Sequence, residues 1–129
     1  MTHPNDMSER DYLGLFIKRP GMYVVPTSLA GVVAFLTGYD HAARRYGGPG
    51  LTGWPAWLMA NHQVGGNLVW SAQIRQIALP GWDGGLDLTH EQETRVLRVL
   101  FELLDAFLAE REDAESDSSG AGAAATGNT

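Results

Sequence analysis

Apolar residues recur along much of the chain at intervals of three and four, the repeat that gathers side chains on one face of an α-helix. Tyr12, Leu15 and Phe16 begin the pattern. Ser8 and Asp11 form a capping arrangement before them, and Pro20 and Gly21 end the run, so a short first helix is predicted. A longer helix is predicted after Pro26, capped by Thr27 or Ser28. Leu29, Val32, Val33, Leu36, Tyr39, Ala43 and Tyr46 form its stripe, until Gly47 and Gly48 stop it. Gly53, Trp54 and Pro55 open a brief third helix over Ala56 to His62, because proline is tolerated in a first turn. Asn67 is the expected cap of a fourth over Leu68 to Leu79, where Trp70, Ile74 and Ile77 share a face and Pro80 closes the segment. Leu68 to Trp70 alternatively suits a strand.

After the turn-rich loop Gly81 to Gly85, Thr89 and Gln92 form a capping-box pattern that opens the clearest helix. Its broad apolar stripe includes Val96, Leu97, Leu100, Phe101, Leu103, Leu104, Phe107 and Leu108, with Glu, Arg and Asp between them. This helix is the expected packing centre. No internal repeat and no sustained alternation is present. The predicted fold is therefore mainly α, an irregular bundle of about five helices, with a small β-hairpin over Met22 to Val25 as the main alternative.

Composition adds a boundary. Glu112 to Thr129 holds Ser, Gly, Ala and acids with nothing large to bury, so residues 1–111 are expected to form a single globular helical domain and 112–129 a disordered acidic tail. The absence of cysteine removes disulfides and thiolate metal sites and fits a cytoplasmic setting. Met1 to Ser8 lacks the basic and apolar regions of a secretory signal, and no apolar stretch approaches membrane-spanning length. The net charge is −6, much of it from Glu110, Glu112, Asp113, Glu115 and Asp117. The remaining Arg residues are scattered, which disfavours nucleic acid as a partner.

His41, His62 and His90, with Asp40, Glu91 and Glu93, are the residues to weigh as metal ligands or acid-base groups. Their spacing matches no metal motif, and Glu91 and Glu93 suit the positive end of a helix dipole. Ser28 and Ser71 lack a nucleophile elbow, and Gly47-Gly48-Pro49-Gly50 lacks the order of a phosphate loop. No catalytic, cofactor-binding or metal-binding residue is thus predicted. An enzyme would need a pocket around Tyr23, Tyr39, Asp40 and His41, with Asp40 or His41 exchanging the proton. Trp57 and Trp70 fall in apolar patterns and are expected in the core. Trp54 and Trp82 lie beside Gly and Pro in loops, and with Tyr23 they are the expected partner-binding residues.

The string Lys18-Arg19-Pro20-Gly21-Met22-Tyr23-Val24 resembles a segment near the start of the ATPase domain of type II topoisomerase B subunits. In that family the next helix carries a catalytic Glu and then an Asn directly after an Asp. Here no acid lies between Leu29 and Tyr39, His41 follows Asp40, and the later Asp-x-Gly-x-Gly segment is missing, so Pro20-Gly21 is expected to be a turn rather than part of an ATP site. A longer order runs from Arg19-Pro20-Gly21-Met22-Tyr23 through Ser28-Leu29, Phe35-Leu36-x-Gly38-Tyr39 and Trp54-x-x-Trp57-Leu58 to Asn67-Leu68-Val69-Trp70. It resembles small actinobacterial proteins, some of them similar to toxin-immunity proteins. That resemblance implies a binding role and carries over no individual residue. The expectation is a non-enzymatic protein-protein interaction domain, an immunity-type inhibitor with a toxin as partner, using no cofactor. A structural or assembly subunit and a small enzyme are the alternatives.

Overall fold

Each helix begins where the local chemistry satisfies its first amide groups. A computed structural model of the chain describes residues 7–24, 27–66, 68–85 and 87–127, with side chains described as far as Ser116. Helix α1, Glu9–Lys18, is capped by Ser8, whose Oγ accepts from Asp11 N at 3.1 Å. Helix α2, Leu29–Arg45, is capped by Ser28, whose Oγ accepts from Gly31 N at 3.1 Å. Gly53 takes the left-handed conformation at φ +88°, which glycine tolerates, and leads into α3, Trp54–His62. Helix α4 is Trp70–Ala78 and α5 is His90–Gly127. The capping box before α5 forms as the spacing predicts: Thr89 N donates to Gln92 Oε1 at 2.9 Å, and Gln92 N to Thr89 Oγ1 at 3.1 Å.

The mainly helical bundle stands, with differences at three places. Where the hairpin was the alternative, Pro20–Met22 forms a 3-10 turn, closed by Tyr23 N donating to Pro20 O at 3.0 Å. Proline fixes φ and has no amide to offer a ladder, so the segment coils rather than pairs. Val25 and Pro26 lie outside the described residues, and no strand occurs among those described. Helix α4 starts at Trp70 rather than Leu68, with Val69 as an extended N-cap, and the expected cap Asn67 lies outside the described residues. Finally, α5 keeps a helical backbone to Gly127, where the sequence expectation was a disordered tail from Glu112. The side chains of Glu112 to Ser116 are exposed. The Glu and Ala residues of this stretch favour helix, and no proline interrupts it.

The packing orders the helices around α5. Helix α1 runs antiparallel to it, since Arg10 pairs with Asp105 at 3.1 Å and Phe16 meets Phe101 edge-on at 5.9 Å further along. Helix α2 runs parallel to it: at one end Leu29 N donates to Glu93 Oε1 at 2.7 Å, and at the other Arg111 Nη1 donates to Gly50 O at 3.0 Å, in the loop after α2. Helix α4 packs back along α5, with Leu79 beside Gln92 and Trp70 near the rings of α3. Phe16, Leu36, Leu58, Ile74, Leu100 and Leu104 are fully buried between these elements. One end of the bundle therefore gathers the end of α1, the start of α2, the end of α4 and the start of α5. The opposite end holds α3, the loop after α2 and the start of α1. No described helix is long and apolar enough to cross a membrane.

Candidate functional site

Two of the three sequence-predicted partner residues, Tyr23 and Trp82, lie in the connections between α1 and α2 and between α4 and α5. Tyr23 follows the Pro20–Met22 turn, and its ring rests edge-on against Phe16 and Phe35 at 5.6 and 5.7 Å. The other side of the ring faces out, leaving Tyr23 43% exposed, and Met22 beside it is 73% exposed. Sequence reasoning passed over Met22 because the string read only as a turn; the turn is what pushes it outward. Trp82 is partly buried in the loop between α4 and α5. Its Nε1 donates to Gly85 O at 2.9 Å, Asp83 Oδ1 accepts from Gly85 N at 2.9 Å, and the Arg75 guanidinium lies 5.9 Å from the ring centroid. The indole is thus oriented before any partner arrives. A cavity of about 680 Å³ lies alongside, bordered by Leu79 and by Arg95 and Arg98 of α5.

Trp54 does not belong to this surface. It was expected in an exposed loop, but it is the first residue of α3 and 0% exposed, stacked on Trp57 at 5.8 Å and set against Phe107 at 5.3 Å. The left-handed turn at Gly53 drives the chain inward, and Leu51 is buried with it. An indole there cannot reach a partner without unfolding the domain. The tryptophans expected in the core are less buried: Trp57 and Trp70 are both partly exposed, and Trp57 Nε1 donates to Glu110 Oε2 at 2.7 Å.

The residues required for an enzyme pocket do not together line any of the described cavities. Tyr39 stacks on Tyr12 at 5.7 Å, and His41 is exposed on α2. Asp40 is occupied: its Oδ1 accepts from Leu51 N at 2.7 Å and from Arg44 Nε at 2.9 Å, which fastens the loop after α2. Tyr23 touches that helix at Phe35, near its middle and one turn before Tyr39. His62 packs at 5.9 Å against Trp57, while His90 and Glu91 are exposed in the first turn of α5. Glu93 does more than complement a dipole, because it caps α2 from another helix. Among the described residues no group of three or more His, Asp or Glu side chains could hold a metal ion.

One polar arrangement escaped the sequence reading. Glu9 Oε2 and Arg111 Nη2 are both buried without a hydrogen-bond partner, and both residues line a cavity of about 280 Å³ that also touches Glu115. Burial pushes the Glu9 carboxyl above its ordinary value; Arg111 opposes the shift and Glu115 reinforces it. The signal was absent from the sequence because a Glu in a first helical turn is ordinary dipole chemistry. No protein family, curated protein or solved structure matches the chain.

Proposed function

We propose that this chain is a non-enzymatic protein-interaction domain whose partner surface is the end of the bundle where α5 begins, with Met22, Tyr23 and Trp82 at its centre. The observation that carries the reading is the pair Met22 and Tyr23, a large apolar side chain and an aromatic one, held outward by a short proline-started turn. Met, Tyr, Trp and Arg are the residue types enriched at protein interfaces, and rigid aromatics lose little conformational entropy on binding. The site holds no convergent acid-base pair, and Asp40, the carboxylate an enzyme would have used, is committed to the loop. The finer form of the proposal is an immunity-type inhibitor of a toxin, which rests on the resemblance of the aromatic order described above.

The test is to place a photo-crosslinking amino acid at Met22, and in a second variant at the exposed Ala60 of α3, and to identify the products formed in the native host by mass spectrometry. One protein is expected from Met22 and absent from Ala60, and Tyr23→Ala and Trp82→Ala should each reduce its yield while the circular-dichroism spectrum stays helical. No product from Met22, or the same products from both positions, would show that this end is not a partner surface.

A further inference from the structure

Glu9 and Arg111 carry opposite charges and border one cavity of about 280 Å³, yet they do not pair with each other. Each is held by other contacts. Glu9 stands in the first turn of α1, which Ser8 caps and the ion pair of Arg10 with Asp105 fastens to α5. Its Oε1 lies beside the loop after α2, where a Cβ on Gly48 would stand 3.7 Å away. The Arg111 guanidinium is fixed by Nη1, which donates to Gly50 O at 3.0 Å, and by the Phe107 ring 5.3 Å below it. What remains is one acceptor, Glu9 Oε2, and one donor, Arg111 Nη2, each sealed from bulk water with no protein partner. Charged groups buried in that condition are strongly destabilising, so the two call for a group that meets both at once.

The rest of the lining decides what that group carries. Glu9, Glu112 and Glu115 bring three negative charges against the two positive charges of Arg10 and Arg111, and Arg10 is itself paired with Asp105. The surplus is negative, and it acts on Glu9 directly: Glu115 raises its pKa while Arg111 lowers it. An anion would add to this surplus, whereas a cation relieves it. The three carboxylates are not gathered as a metal ion requires. Met7, Pro49 and Leu108 add an apolar wall to the same cavity, which suits an organic cation.

We propose that this cavity binds a small organic amine bearing a carbonyl or hydroxyl oxygen a few bonds from its ammonium group, with the ammonium on Glu9 Oε2 and the oxygen on Arg111 Nη2. The ammonium has the donors that a carboxylate needs, and the oxygen accepts from the guanidinium. The cavity volume is about the lower limit of small-molecule sites, which suits a compound of amino-acid size. Glu112 and Glu115 are exposed at its border, and exposed side chains change rotamer rapidly, which gives a small molecule passage to the two sealed atoms. Met22, Tyr23 and Trp82 do not line this cavity, so the site stands or falls separately from the partner surface.

The test is a titration of the nitrogen-15-labelled full chain at pH 7, followed by amide chemical shifts, with three probes. Leucinamide carries both the ammonium and the oxygen, N-acetylleucinamide lacks the ammonium, and isoamylamine lacks the oxygen. Leucinamide should give saturable shifts centred on Glu9, Arg10, Arg111 and Glu112, with an affinity at least about tenfold above that of either analogue. Glu9→Gln should weaken it at least about tenfold, whereas Glu102→Gln, exposed on α5 and not part of the cavity lining, should change it less than about twofold. Circular dichroism and melting curves accompany both variants. Four results would each overturn the site: no saturable shift at these residues, which would leave solvent as the occupant; shifts centred elsewhere; equal binding of an analogue; or the same affinity in Glu9→Gln as in wild type.

Discussion

Asp40 and Gly50 hold each other in place. Gly50 sits at φ +54°, and a Cβ built on it would stand 2.5 Å from Asp40 Oδ1, the atom that already receives Leu51 N and Arg44 Nε. Gly50→Ala therefore combines a left-handed alanine with displacement of that carboxylate, and it should cost about 1 to 3 kcal/mol in urea denaturation. A cost below about 0.5 kcal/mol would mean that the loop is not fastened as described. Glu9 gives a prediction in pH. Its pKa is raised in the folded state above the ordinary 4.5, first by burial and then by Glu115, against the pull of Arg111. A carboxyl raised in this way favours folding in its protonated form, so its contribution is complete below the ordinary pKa and is lost as pH rises through the folded one. Gln resembles the protonated acid at every pH. Glu9→Gln should accordingly melt higher than wild type at pH 7, with the advantage disappearing below about pH 4. A gain that persists at low pH would point to packing rather than charge.

Among the elements, α5 was the most legible and α3 the least. The capping box of Thr89 and Gln92 and the stripe from Val96 to Leu108 specify both the start and the buried face of α5, and Leu100 and Leu104 are each fully buried. Leu100→Ala and Leu104→Ala should each cost about 2 to 5 kcal/mol, measured by urea or thermal unfolding. Losses under about 0.5 kcal/mol at both would show that the stripe is not the packing face. Helix α3, by contrast, reads Trp-Pro-Ala-Trp-Leu-Met-Ala-Asn-His and is apolar nearly all round, so no face stands out in its sequence. Proximity to Gly and Pro then suggested an exposed Trp54, although a left-handed glycine can equally turn a chain inward. At Tyr23 the turn begun by Pro20 leaves the ring resting on Phe16 and Phe35 with its other side exposed.

At the scale of the whole molecule, the direction of each helix against α5 was beyond the sequence, since it depends on bonds between residues far apart in the chain. Glu93 reaches Leu29 across 64 positions and Arg111 reaches Gly50 across 61, and neither acid nor base differs locally from any other charge on a helix surface. These bonds also locate where the packed unit ends. Arg111 donates to Gly50 O, lies 5.3 Å over the Phe107 ring and opposes the charge on Glu9. After it, Glu112 to Ser116 are exposed, with Glu112 and Glu115 bordering the cavity beside Glu9. Two truncations separate the contributions. Ending the chain after Ser116 keeps each of these contacts and should shift Tm by less than about 2 °C. Ending it after Glu110 removes the bond to Gly50 and leaves the partly buried Glu9 carboxyl without its cation, which should cost about 1 to 3 kcal/mol, or some 4 to 8 °C for each kcal/mol in a domain of this size. Arg111→Gln in the full-length chain should reproduce a large part of that second loss, since it removes the charge while leaving the helix its length. If the shorter truncation already lowers Tm by many degrees, residues beyond Ser116 contribute to the fold; if both truncations leave it unchanged, Arg111 does not secure this end of the bundle.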